Sequence, residues 1–301
     1  MVFNERFAFM QCLRLVFAFL LSFSGLSAAQ GDTPVNISRA DALPERGSGA
    51  HSAALLDITL TDIEIRKITR NIYFNEASSR KENLLFWNDN ENFLSLGIAH
   101  FIWYPAGRGK KFSETFPELV RFFRKSGIDV PVWVTHAKGS PWKNRDEFLN
   151  SVGSKKYNDL LRLMDSTKEL QTRALITRLS YSLDKILKVT ENQDDKDFIS
   201  RQFYRVSSTE MGYYALVDYV NFKGEGIKES ETYLNAQGKP EGWGLKQVLE
   251  NMKGNSTNAL REFAESAQFV LNRRVKNSPP EKNEQTWLKG WTKRITSYVI
   301  M

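Results

Sequence analysis

The sequence predicts a mainly α-helical fold with one small β-hairpin, and three observations carry that expectation. Beyond Phe101, about nine segments place apolar residues at helical spacing. The longest, Thr167–Val189, carries a continuous stripe of Leu170, Ala174, Leu175, Leu179, Leu183, Ile186 and Leu187. A different pattern holds before Phe101, where the short apolar runs Leu84–Trp87 and Phe93–Ile98 flank the polar Asn88-Asp-Asn-Glu-Asn92. Turn-forming residues between two such runs predict a hairpin.

Residues 1–29 read as a secretory signal peptide. Arg6 and Arg14 precede the apolar run Leu15–Leu21, which is too short to span a bilayer, and Ser27-Ala-Ala29 supplies small residues for cleavage. Residues 30–56 are rich in Gly, Ser, Ala and Pro without apolar period, which predicts a flexible linker carrying His51. Residues 57–301 then read as one domain that ends in additional C-terminal helices. Its first helix is announced by Thr61-Asp-Ile-Glu64, the spacing of a capping box, followed by Ile65, Ile68 and Ile72. It is expected to run towards Asn75, leaving Glu76 at its C-terminal end. Further helices are predicted over 117–125, 144–152, 157–164, 198–206, 209–219, 242–252, 259–275 and 284–299.

Composition narrows the class. With 41% apolar and 26% charged residues the chain is ordinary globular protein. Its single cysteine, Cys12, lies in the leader, so the mature protein has no disulfide, no thiolate nucleophile and no Cys-ligated zinc. Three histidines without tight spacing and no H-E-x-x-H exclude a zinc signature, and no cofactor is expected. Losing Glu5, Arg6 and Arg14 with the leader takes the net charge from +7 to +6. A basic exported protein suits an anionic partner such as cell-wall polymer, membrane surface or nucleic acid.

The chemistry concentrates in Asn75–Pro105. Cleaving a glycosidic bond takes one carboxylic acid to protonate the leaving oxygen and a second polar or anionic group to stabilise the cationic centre or activate water. Glu76 and Asp89 are candidates for the pair, one at a helix end and one on the hairpin. The helix dipole is negative at that end, so an acid there holds its proton more readily, as a general acid must. Ser95 is a candidate to position water, and His100 to hold the hairpin or act nearer the chemistry.

A helix-ending Glu, a hairpin Asp, and Ser95-Leu-Gly-Ile-Ala-His100 resemble the active-site segment of phage-type lysozymes, whose closing motif is T-x-G-x-G-H. The resemblance implies a lysozyme-like α+β fold with the hairpin beside the active-site cleft. It gives Glu76 the role of general acid and Asp89 that of second carboxylate, and puts Ser95 in the Thr position, with Gly97 and His100 matching directly. Two residues depart from the pattern. Ser95 keeps the hydroxyl of the Thr it replaces, whereas Ala99 in place of the second Gly limits that position's backbone. The wider chain, including GIAHFIWYP, YVNFKGEG and RVKNSPPEKNEQTW, is similar to a group of uncharacterised exported bacterial proteins, which adds no activity.

Further residues are placed as groove candidates. Trp103 and Tyr104 follow His100 and offer faces on which sugar rings stack, with core packing as the other use of such rings. Asn221 and Lys223 precede Gly224-Glu225-Gly226 and offer hydrogen bonds to sugar hydroxyls, with Glu225 as reserve acid; a helix C-cap is the alternative. Trp243 opens a later helix. The expected function is exported, periplasmic or extracellular, monomeric peptidoglycan hydrolysis, with no membrane span after leader cleavage and no nucleic acid as partner. A lytic transglycosylase or a wall-binding protein without catalysis are the alternatives.

Overall fold

The computed structural model describes residues 34–37, 58–108 and 112–300. The predicted signal peptide, His51 and most of the predicted linker lie outside them. The chain divides into two compact units, and residues 57–301, read from the sequence as one domain, contribute to both. The fold is mainly helical, as expected. Among the described residues no helix is long and apolar enough to cross a membrane.

Of the described residues, the first unit holds 34–37 and 58–174. Strand β1 (Pro34–Ile37) pairs antiparallel with β2 (Ile58–Thr61). Part of the stretch predicted as linker is therefore a strand: Pro-Val-Asn-Ile is short, but its Val and Ile suit a pleated pair. Helix α1 (Asp62–Ala77) begins where the capping box places it: Thr61 Oγ1 accepts from Glu64 N–H at 3.2 Å, and Glu64 Oε2 accepts from Thr61 N–H at 2.7 Å. Asp62 and Glu64 in its first turn complement the dipole. Its inner face buries Ile65, Ile68 and Ile72, each stabilising the unit by about 1.5–3 kcal/mol.

The predicted hairpin is a three-stranded antiparallel sheet of β3 (Leu85–Phe86), β4 (Leu94–Leu96) and β5 (Phe101–Trp103), with β4 central. Sequence reading turned helical after Phe101, and β5 corrects it; His100 in a left-handed conformation turns the chain back so that Phe-Ile-Trp pairs with β4. The register fixes the faces. Leu85, Leu96, Phe101, Leu94 and Trp103 form the buried side, and Phe86, Ser95 and Ile102 share the other. Helices α2 (Phe116–Lys125), α3 (Val132–Thr135), α4 (Arg145–Asn150) and α5 (Lys155–Ser166) follow. Helix α6 (Lys168–Val189) leaves this unit after Ala174.

The second unit contains the rest of α6, then α7 (Gln193–Ser207), α8 (Gly212–Lys223), the hairpin β6 (Thr232–Leu234) and β7 (Pro240–Gly242), α9 (Leu245–Asn251), α10 (Ala259–Asn277) and α11 (Gln285–Ile300). Tyr214–Val220 of α8 is buried without interruption, which makes it the central helix. The β6–β7 pair was not foreseen. Thr-Tyr-Leu and Pro-Glu-Gly are too short to show a period of two, and only the turn at Asn235–Gly238 announces the pair.

Candidate functional site

Glu76 sits in the last turn of α1, where the helix has no basic residue to offset its dipole. Its side chain is 9% exposed, and its Oε2 lies 3.9 Å from His100 Nδ1, an ion-pair distance when the ring is protonated. The two ends of the motif are thus brought together.

The backbone around this pair is bent sharply. Ser78 and Ser79, directly after the helix, and His100 all take left-handed conformations. They are three of the four non-glycine residues found there among the described residues, the other being Asn283. Each costs of order 1 kcal/mol, so their gathering at one place shows strain held by the surrounding structure. Ser78 N–H and Ser79 N–H donate to Phe74 and Tyr73 carbonyls, closing the helix tightly under Glu76.

The Ser95–His100 segment is held from α6. Gln171, fully buried, accepts from Ile98 N–H at 2.8 Å and donates to the Met164 carbonyl at 2.7 Å. Gly97 makes this possible: its φ is +73°, and a Cβ there would occupy the place of the Gln171 amide. Ala99 is not among the residues with positive φ, so an alanine meets no backbone demand for glycine there. Gly97→Ala is expected to destabilise the unit by about 2–4 kcal/mol, combining left-handed strain with a displaced buried hydrogen bond. Denaturant unfolding checks this; a loss below 1 kcal/mol would show that the turn does not depend on the Gln171 clamp.

Asp89 lies on the exposed loop before β4. Arg145 Nε reaches its Oδ1 at 2.6 Å and the Trp87 carbonyl at 3.3 Å, while Trp87 Nε1 donates to Glu91 O at 2.9 Å. Arg145, at the start of α4, therefore fixes the loop that carries Asp89. Ser95 is buried on the same sheet face as Phe86 and Ile102. One turn before Glu76, Tyr73 has Lys168 Nζ 5.2 Å from its ring centre. Burial, with Asp165 and Glu82 nearby, pushes its phenol up. Lys81 and Lys168 both hold Asp165, Lys81 at 2.9 Å.

The groove candidates fare differently. Trp103 is 2% exposed, packed on Phe116 and Trp133, and Tyr104 is 1% exposed with its hydroxyl accepting from Phe112 N–H. Neither ring has a free face for a sugar, and both are core. Asn221, Lys223, Glu225 and Trp243 belong to the second unit. Asn221 is half-buried there. Trp243 is covered by the Arg274 guanidinium 3.9 Å above its ring. Glu225 is buried, with Ser182 Oγ at 2.9 Å and Lys185 Nζ at 3.4 Å. Although burial alone would raise its carboxyl, Lys185, Arg178 and Ser182 bring it below the usual range, the opposite of what a reserve acid needs. Lys223 is buried against rings rather than offered to a groove.

Gln171 and Arg145 escaped sequence reading. Gln171 had a signal, being a polar residue one turn before Ala174 and Leu175 on the inner face of α6. Arg145 had none. Among the described residues no three His, Cys, Asp or Glu side chains gather to hold a metal ion. Comparison with family models, curated proteins and solved structures finds no match to this chain.

Proposed function

We propose that the protein cleaves the glycan strand of peptidoglycan, with Glu76 as general acid. The observation that carries this reading is the nearly buried Glu76 carboxylate at the dipole-negative end of α1, beside the His100 that closes Ser-Leu-Gly-Ile-Ala-His. In this reaction Glu76 protonates the glycosidic oxygen as the bond to the anomeric carbon breaks. Water then adds to that carbon, oriented by Asp89 and Ser95, and its proton passes to Asp89. His100 keeps Glu76 in place. Export to the wall compartment belongs to the same proposal and rests on the leader-like first 29 residues.

A second reading, a lytic transglycosylase, is favoured by one specific observation. Asp89 Oδ1 is already engaged by Arg145 in a half-exposed ion pair. An enzyme that closes an intramolecular anhydro ring needs only one acid, so such a commitment of Asp89 does it no harm. Incubating the exported form with purified peptidoglycan and following release of soluble muropeptides tests both readings together. Release supports strand cleavage, and no release across acidic to mildly alkaline buffers contradicts it.

A further inference from the structure

We infer that Lys223, enclosed by Trp291 and Phe222 in the second unit, is a reactive amine that condenses with small aldehydes. The inference is independent of the glycan reading and rests on a separate cluster.

Lys223 ends α8 and is 8% exposed. Its Nζ lies 3.2 Å from the centre of the Trp291 ring and 4.0 Å from that of Phe222. No hydrogen bond to this amine is found among the described residues. Each ring also carries a guanidinium: Arg274 lies 5.0 Å from the Trp291 centre and Arg294 4.2 Å from that of Phe222. The amine thus shares its two rings with two permanent cations.

Both of those cations have their own counter-ions. Arg274 donates to both oxygens of Glu284 at 2.7 Å, and Arg294 to both oxygens of Asp218 at 2.8 and 2.7 Å. Tyr233 and Tyr298 hydroxyls complete these carboxylates, each at 2.7 Å. Lys282, exposed, touches the Tyr233 side of the cluster. The two buried pairs are therefore neutral before Lys223 is counted. A third buried positive charge would have no carboxylate of its own, and that desolvation cost exceeds what two aromatic faces return. Burial first, and Arg274 next, accordingly hold the Lys223 amine well below the usual lysine range; Arg294 adds to this and Glu284 opposes it.

A neutral amine in such a place is the activated nucleophile of carbonyl chemistry. Its lone pair attacks the carbonyl carbon and forms a C–N bond as the π electrons move to oxygen. Both amine protons pass in turn to that oxygen, which leaves as water with the electrons of the C–O bond, and the nitrogen lone pair completes the C=N bond. No oxidant or reductant is consumed. At 8% exposure the amine admits only a small aldehyde, and the two neighbouring guanidinium groups disfavour a cationic one.

The test uses the whole protein with acetaldehyde and cyanoborohydride, which reduces each imine to a stable ethylamine that peptide mapping locates. At about pH 6.5, Lys223 is expected to be labelled at least about tenfold faster than the exposed Lys239 and Lys253 of the same unit. The ratio of its rate to theirs should fall as the buffer is taken from about pH 6.5 towards about pH 8. The Lys223→Met variant should lose that label and unfold at the same or higher temperature, since a site that rejects charge gains from an apolar side chain. Labelling of Lys223 no faster than the exposed lysines overturns the proposal. So does a ratio that stays constant over that range, which would mark an ammonium pinned on Trp291 as structure alone.

Discussion

Replacing Glu76 by Gln is expected to lower peptidoglycan cleavage by about a hundred- to ten-thousandfold, the range a positioned general acid contributes. Gln keeps the volume and hydrogen bonding of the side chain but has no proton to give. Because the side chain is 9% exposed and faces His100, the exchange should leave the fold intact, with unfolding changed by no more than about 1 kcal/mol. The loss should appear in kcat rather than in binding to the wall polymer, since proton transfer occurs only in the transition state. Asp89→Asn separates the two forms of strand cleavage. Hydrolysis should fall when the carboxylate that takes the water's proton is gone. An enzyme working through Glu76 alone would keep its rate. A Glu76→Gln protein that cleaves at the parent rate would remove Glu76 from the chemistry.

Asp218→Ala should have the largest effect on stability, about 3–5 kcal/mol, and should be read in the unfolding of the second unit. Asp218 is buried in the middle of α8 and accepts from both Arg294 nitrogens and from the Tyr298 hydroxyl. Truncation leaves a nearly buried guanidinium without its counter-ion and a buried phenol without its acceptor. Burial and the Asp218 charge together hold that phenol well above the usual tyrosine range, so it stays a donor throughout the ordinary pH range. A second change, Arg294→Met, should recover part of the loss by removing the stranded charge. Denaturant titration of the single and double variants checks both statements. A loss under 1 kcal/mol, or no recovery, would mean that the pair is replaceable by water.

Much of the helical frame was legible because its signals are local. Thr61 and Glu64 announce α1, Asn144 caps α4, and the Leu170–Leu187 stripe outlines α6. Helix α7 was placed five residues late, at Phe198, because its first turns are polar. Its cap, Asn192, accepts from Asp195 N–H and was there to be read. Strand β5 was hidden by composition, since Phe-Ile-Trp suits either structure and only the left-handed His100 decides. The proximity of Glu76 and His100 was legible through the motif between them. What holds them was not: Gln171 reaches Ile98 across 73 residues of chain, and periodicity orients a helix without naming its neighbours. The same gap misplaced Trp103, Tyr104 and Trp243, because an aromatic ring serves core and groove equally well until its surroundings are known.

Mass spectrometry of the fragment ends, after purified peptidoglycan is incubated with the protein lacking its first 29 residues and with its Glu76→Gln variant, tests the central claim most directly. The account predicts fragments with reducing ends from the parent protein and none from the variant. Anhydro ends lost in the variant would keep Glu76 as the acid and replace water by the sugar's own hydroxyl. An undigested glycan with the parent protein, or identical fragments from both, would contradict the assignment of Glu76 as the acid that breaks the strand.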